Sequence, residues 1–156
     1  MKPGDVRGRL SLGVALYRSG DYERAQHEFE AVAQMKETTA VANYYLGRIA
    51  LRNNDLDQAE QYLQQAIDQE PEYPDAHADL GLAYIRQGRH EDAAKVLEKA
   101  MKIDPESYRT NLNLLLLYQR TKDTRQDAQK EKFERLQKQQ EEKLELVMRS
   151  IEVRPY

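Results

Sequence analysis

Residues 42–59, ANYYLGRIALRNNDLDQA, and residues 76–93, AHADLGLAYIRQGRHEDA, carry one signature at an offset of 34 positions. Residues 8–25, GRLSLGVALYRSGDYERA, carry it once more upstream. The matched columns are Leu12-Gly13, Leu46-Gly47 and Leu80-Gly81, then Gly20, Asn54 and Gly88, then Tyr22, Leu56 and His90. Ala25, Ala59 and Ala93 form a further column, as do Phe29, Leu63 and Leu97, and Pro71 and Pro105 close the second and third units. Self-similarity at a fixed period marks a repeat architecture, in which one unit cannot bury its apolar face alone and neighbours must stack.

Each unit divides into two helical stretches of about three to four turns. Gly20 and Gly88 supply the positive φ that ends a helix, and Asn54 is the next best residue for it. Asp21, Thr39 and Asp55 are expected N-caps, and Pro74-Asp75 and Pro105-Glu106 suit a first helical turn. Small residues in the Gly13 and Ala25 columns stand where paired helices must approach closely.

The pattern resembles the tetratricopeptide repeat family, with its Leu-Gly pair, later Gly, aromatic, Ala, bulky residue and closing Pro. The resemblance covers roughly residues 5 to 120. Arg9, Asn43 and His77 replace the family's early Trp, and Glu37 replaces the first closing Pro. The resemblance implies an all-α fold: a right-handed α-solenoid of three helix-turn-helix repeats plus a capping helix and a long C-terminal helix, all in one domain over 1–156. The expected bounds are repeats at 5–38, 39–72 and 73–106, a capping helix at 107–120 and a C-terminal helix at 124–153.

The signature continues through Leu114, Leu115 and Tyr118 and dissolves at Lys122. Beyond it, 124–153 contains no Gly or Pro, and Phe133, Leu136, Leu144, Val147 and Ile151 form a narrow stripe. The expectation is a helix that caps the stack and then extends or folds back, with this stripe as the candidate for self-association. Gly8, Ala15 and Ser19, on the face toward any preceding repeat, are as small as Ala42 and Ala76. Terminal repeats carry a polar outer face, so this edge is expected either to continue a longer array or to meet another copy.

At 100° per residue, the side of each first helix opposite its core columns faces a common hollow. The resemblance makes that hollow a peptide-binding groove. Tyr17, Arg18, Tyr44, Arg48, Leu51, Arg52, Leu82, Ile85, Arg86 and Arg120 are its candidate contact residues. Arg18, Arg52, Arg86 and Arg120 recur every 34 residues. Either they complement helix C-termini, or they form a row for an acidic or carboxylate-bearing partner. Leu10, Val14, Val41, Leu112 and Leu116 extend an apolar wall, which either the C-terminal helix or an external peptide covers. The positions matching the family's carboxylate clamp are Leu10, Val14, Tyr45, Asp75 and Asp79, and none fits that clamp.

The rest of the composition narrows the function by exclusion. With 24 Lys and Arg against 27 Asp and Glu, the net charge is −3, which argues against nucleic acid as partner. The chain has no Cys, so disulfides, thiolate chemistry and Cys-based zinc sites are out. His27, His77 and His90 share no metal-ligand spacing, and His77 is expected in a half-buried packing role. No phosphate loop or nucleophile motif is present. No cofactor, metal or catalytic residue is expected, and the chain reads as a non-enzyme. No apolar run is long enough to cross a bilayer and no signal peptide is apparent at Met1, so direct membrane insertion is not expected and the compartment is left open. Two functions follow: a scaffold that holds a protein or peptide in the groove, or a self-associating structural module in which the C-terminal helix or the N-terminal edge pairs or fills the groove.

Overall fold

The computed structural model describes residues 5–35 and 39–152, with side chains given through 149. Residues 1–4, the segment 36–38 containing Glu37, the end of the chain from 153 and the side chain of Ile151 lie outside it. Eight helices account for the described residues: α1 (Val6–Ser19), α2 (Tyr22–Ala33), α3 (Ala40–Arg52), α4 (Leu56–Gln69), α5 (Pro74–Arg86), α6 (His90–Ile103), α7 (Tyr108–Thr121) and α8 (Gln126–Glu152).

Local chemistry sets most of these limits. Asp5, Asp21, Thr39, Asp55 and Ser107 each accept a hydrogen bond from the backbone N–H three residues on, starting α1, α2, α3, α4 and α7. Each such bond satisfies one of the donors a helix start leaves open, worth about 1 kcal/mol. Pro74 starts α5 without a side-chain cap. Gly20 at φ 87°, Asn54 at 58° and Gly88 at 77° turn the chain between the helices of each pair. Lys122, one period after Gly88, adopts φ 54° although its residue type does not favour it. The turn therefore outlasts the sequence signature that marks it elsewhere.

Pairs α1–α2, α3–α4 and α5–α6 each close around a glycine. A Cβ added at Gly13 would lie 2.7 Å from the Phe29 ring, one at Gly47 2.6 Å from Leu63, and one at Gly81 2.6 Å from Leu97. Phe29, Leu63 and Leu97 are completely buried, each stabilising its pair by about 1.5–3 kcal/mol. Successive pairs stack, α2 on α3, α4 on α5 and α6 on α7, and the first helices α3, α5 and α7 also touch in sequence. The apolar core forms two clusters along the stack, one among α1, α2 and α3 and a larger one from α3 to α7, with Tyr45 against both.

The column that holds Trp in the family is polar here and binds backbone. His77 Nε2 donates to the Pro71 carbonyl at 2.9 Å, and Asn111 Nδ2 donates to the equivalent Pro105 carbonyl at 3.1 Å. His77 is fully buried rather than half-buried, because its ring staples the start of α5 to the preceding turn. In the same column Arg9 pairs with Glu28 at 2.8 Å and Asn43 reaches Gln69.

The fourth pair is different. Leu115 occupies the glycine column and is itself buried, while Asp127 and Glu131 stand where Ala93 and Leu97 stand one period earlier and are exposed. The Leu115 side chain forbids the close approach, so α8 meets α7 through other residues. Phe133 packs on Tyr108 with ring centroids 4.8 Å apart, Leu136 is buried, and Gln129 Nε2 donates to the Asn111 backbone and side-chain oxygens. From Gln137 to Arg149 every residue of α8 is exposed.

Candidate functional site

The first helices present residues toward a common hollow of about 340 Å³. Tyr17 comes from α1; Arg48, Leu51 and Arg52 from α3; Asp79, Leu82 and Arg86 from α5; Tyr108, Arg109, Leu112 and Asn113 from α7. No residue of a second helix lines it. The spacing that places the Leu-Gly columns against α2, α4 and α6 places these residues on the other side of the same helices.

Of the ten candidate groove residues, Tyr17, Arg48, Leu51, Arg52, Leu82 and Arg86 line the hollow. Tyr44 and Ile85 do not open onto it, being 3 % and 5 % exposed. The twist of each helix carries these two into the contact with the neighbouring unit, where Tyr44 packs on Tyr45 and Tyr73. Burial, with Asp79 nearby, pushes the Tyr44 hydroxyl well above its ordinary pKa and keeps it protonated. Arg18 and Arg120 are exposed outside the hollow.

The arginine row is not a set of equivalent free cations. Arg86 donates through Nη1 to the Leu51 carbonyl at 2.8 Å, satisfying an acceptor in the last turn of α3. The guanidinium of Arg52 lies 4.0 Å from the centre of the Tyr22 ring, a cation–π contact. Arg86 thus serves a helix end, but the neighbouring helix's end rather than its own.

A buried acid organises the floor. The Asp79 side chain is 5 % exposed, with Arg109 Nη1 2.6 Å from Oδ2 and Arg48 Nε 3.6 Å from it. Burial raises the pKa of Asp79, and Arg109 and Arg48 oppose that rise. Burial also acts against the charge of Arg109, but Asp79, Tyr44 and Asp75 outweigh it and raise its pKa. Arg109 Nε further approaches Asp75 at 3.7 Å. The Arg48 guanidinium lies 4.9 Å from the Tyr17 ring centre and 5.6 Å from that of Tyr44. Asn113 Nδ2 donates to the Ala78 carbonyl at 2.8 Å beside them.

These contacts pre-orient guanidinium groups that carry five donors each, and Asp79 engages only part of that capacity. The lining holds four arginines against one aspartate, in a chain whose overall charge is −3. Leu51, Leu82 and Leu112 interleave with them. Charge and apolar surface are therefore concentrated on one face.

The ten contact candidates do not include Asp79, Tyr108, Arg109, Leu112 or Asn113, although Leu112 belongs to the apolar wall expected from the sequence. Arg109 and Leu112 fall on the groove side by helical periodicity alone. Asp79 carried a subtler signal, an acid directly before a core Leu-Gly pair, which a helix tolerates only when cations meet it. The self-association stripe is divided: Phe133 and Leu136 face α7, whereas Leu144 and Val147 are 63 % and 53 % exposed. None of the described α8 side chains lines the groove. Among the described residues no group of three or more His, Cys, Asp or Glu could hold a metal ion, and no helix is long and apolar enough to cross a membrane.

No curated protein sequence matches the chain. Solved structures do. MamA shares 27 % identity at a TM-score of 0.73, over 92 % of this chain and 83 % of MamA. The thermophilic TPR protein TTC0263 of Thermus thermophilus shares 25 % identity at a TM-score of 0.74, over 84 % of this chain and 74 % of that one. An O-GlcNAc transferase mutant from Thermobaculum terrenum, 21 % identical at a TM-score of 0.70, matches 76 % of this chain with 23 % of its own length and shares the fold alone. The tetratricopeptide repeat model matches residues 10–69 and 46–108, so the chain, with its three glycine-closed helix pairs, belongs to the tetratricopeptide repeat family.

Proposed function

We propose that the chain is a non-enzymatic module that grips a segment of another polypeptide in the hollow formed by α1, α3, α5 and α7. Its fold is a general scaffold for protein interaction, and the whole chain acts as one such unit. One observation carries the reading: Arg48, Arg52, Arg86 and Arg109 alternate with Leu51, Leu82 and Leu112 on a single concave surface. Such a surface selects a segment that mixes acidic and apolar side chains, because acids against the arginines gain charge-assisted hydrogen bonds. Leu82 and Leu112, which keep exposed surface, contribute affinity through burial, and a short peptide would bind at around micromolar Kd.

Selection from a displayed random-peptide library tests this. Enriched peptides should be acidic and apolar, lose affinity as salt rises, and bind at least tenfold more weakly to Arg52→Glu/Arg86→Glu. Circular dichroism establishes that the variant is folded. Unchanged affinity and salt dependence would retire the groove.

A further inference from the structure

We infer that the groove is filled by the projecting half of α8 from a second copy of this chain. This rests on the groove reading above and names its occupant.

The first ground is exposure. Four of the six exposed large apolar residues among the described residues, Leu144, Leu146, Val147 and Met148, fall within one turn and a half of α8. Leu112, another of the six, lies in the groove. Apolar surface concentrated in this way marks a contact site.

The second ground is chemical match. The projecting half, residues 137–149, is neutral overall, with Glu141, Glu142 and Glu145 against Lys138, Lys143 and Arg149, so its match to a groove of four arginines and one aspartate lies in how one face is composed. At 100° per residue, Glu141, Leu144, Glu145 and Met148 fall within an arc of about 100°. One face of the helix therefore offers the mixture of acid and apolar side chains that the groove's arginines and leucines select. A helix laid in a groove with anchors at three- and four-residue spacing is a common mode of recognition.

The third ground is connectivity, and it makes the contact intermolecular. α8 runs unbroken through 27 residues, with no Gly or Pro at which to fold back. Its first half is anchored on α7 by Leu136, Phe133 and Gln129. The far half cannot reach its own groove without breaking the helix, yet it starts beside it: Tyr108 lines both the groove and the cleft that contains Leu144. Two copies related by a two-fold axis can exchange these halves, each groove taking the other's helix, in a closed pair.

Analytical ultracentrifugation of the full chain over a concentration series tests the inference. The wild type should dimerise reversibly. Leu144→Glu/Met148→Glu, at exposed positions, should weaken dimerisation at least tenfold. Groove reversal (Arg52→Glu/Arg86→Glu) and tail reversal (Glu141→Arg/Glu145→Arg) should each do the same. An equimolar mixture of those two variants should restore the dimer, since the acidic groove then meets a basic tail face and the basic groove an acidic one. A wild type that is monomeric throughout overturns the inference, as does a dimer that survives groove reversal, which would mean tail-to-tail pairing. In either case library-selected peptides that still bind the wild-type groove leave the groove reading standing, and their absence removes it as well.

Discussion

The third helix pair, α5–α6, and the fourth, α7–α8, have the same turn position and the same leading Leu column, yet they close differently. In α5–α6, Gly81 lets Leu97 lie against the backbone, and Leu97 and Ala93 are wholly buried. In α7–α8, Leu115 fills that space and Asp127 and Glu131 turn outward. α8 is left attached by its first half only. Three column positions, Leu115 for Gly81, Asp127 for Ala93 and Glu131 for Leu97, separate a repeat from a helix that is exposed over its remaining described length. The repeat pattern therefore stops where its small and apolar columns are replaced, while helix and turn persist.

The largest expected effect comes from imposing the fourth pair's residue on the third. Gly81→Leu should destabilise by about 3 kcal/mol or more, because even a Cβ there meets Leu97 at 2.6 Å and overpacked cores do not yield cheaply. Urea titration followed by circular dichroism measures it. A loss under about 1 kcal/mol would mean α6 can move away as α8 does.

Leu136→Ala should cost about 2 kcal/mol, and the loss should be local. Hydrogen exchange should show α8 amides opening while α3–α6 amides keep their protection. Uniform loss across the chain would show that α8 is integral to the stack and would erase the contrast between the pairs.

Lys122→Gly should stabilise by about 1 kcal/mol by relieving a left-handed lysine. Gly88 already holds the equivalent place in the third unit, so Gly88→Lys should lose a similar amount. Opposite shifts in melting temperature check both.

The smallest effect concerns the stapling column, where the third unit has His77 and the fourth has Asn111. Burial lowers the pKa of His77, with the Pro71 hydrogen bond opposing. The unfolded chain therefore binds the proton more readily than the folded one. The contribution is complete above the ordinary histidine pKa of about 6.5 and is lost as pH falls below it toward the lowered folded value. His77→Asn should flatten the stability profile in that window. An unchanged slope would assign the pH dependence to other groups.

Much of this molecule is legible in its residues. The 34-residue columns mark the three glycine-closed pairs, and Asp21, Thr39 and Asp55 mark helix starts, because close approach and capping are decided by a single residue's shape or hydrogen-bonding group. The groove was legible in part. Helical periodicity points Arg48, Arg52 and Leu82 inward, but it does not resolve Tyr44 from Tyr17, since both lie near the edge of the inner face. Only the packing of the next unit buries one and leaves the other open.

The sequence by itself determined the repeat, its period, the turns and the segregation of basic and apolar residues to one side of the first helices. Those properties follow from chain geometry within about one period. Tertiary structure alone decided that Asp79 holds Arg109 and Arg48, that Arg86 serves the end of α3, and that α8 is anchored over half its length. Each of these joins residues from different units. Their distances depend on how neighbouring helices pack, a quantity that no local pattern contains.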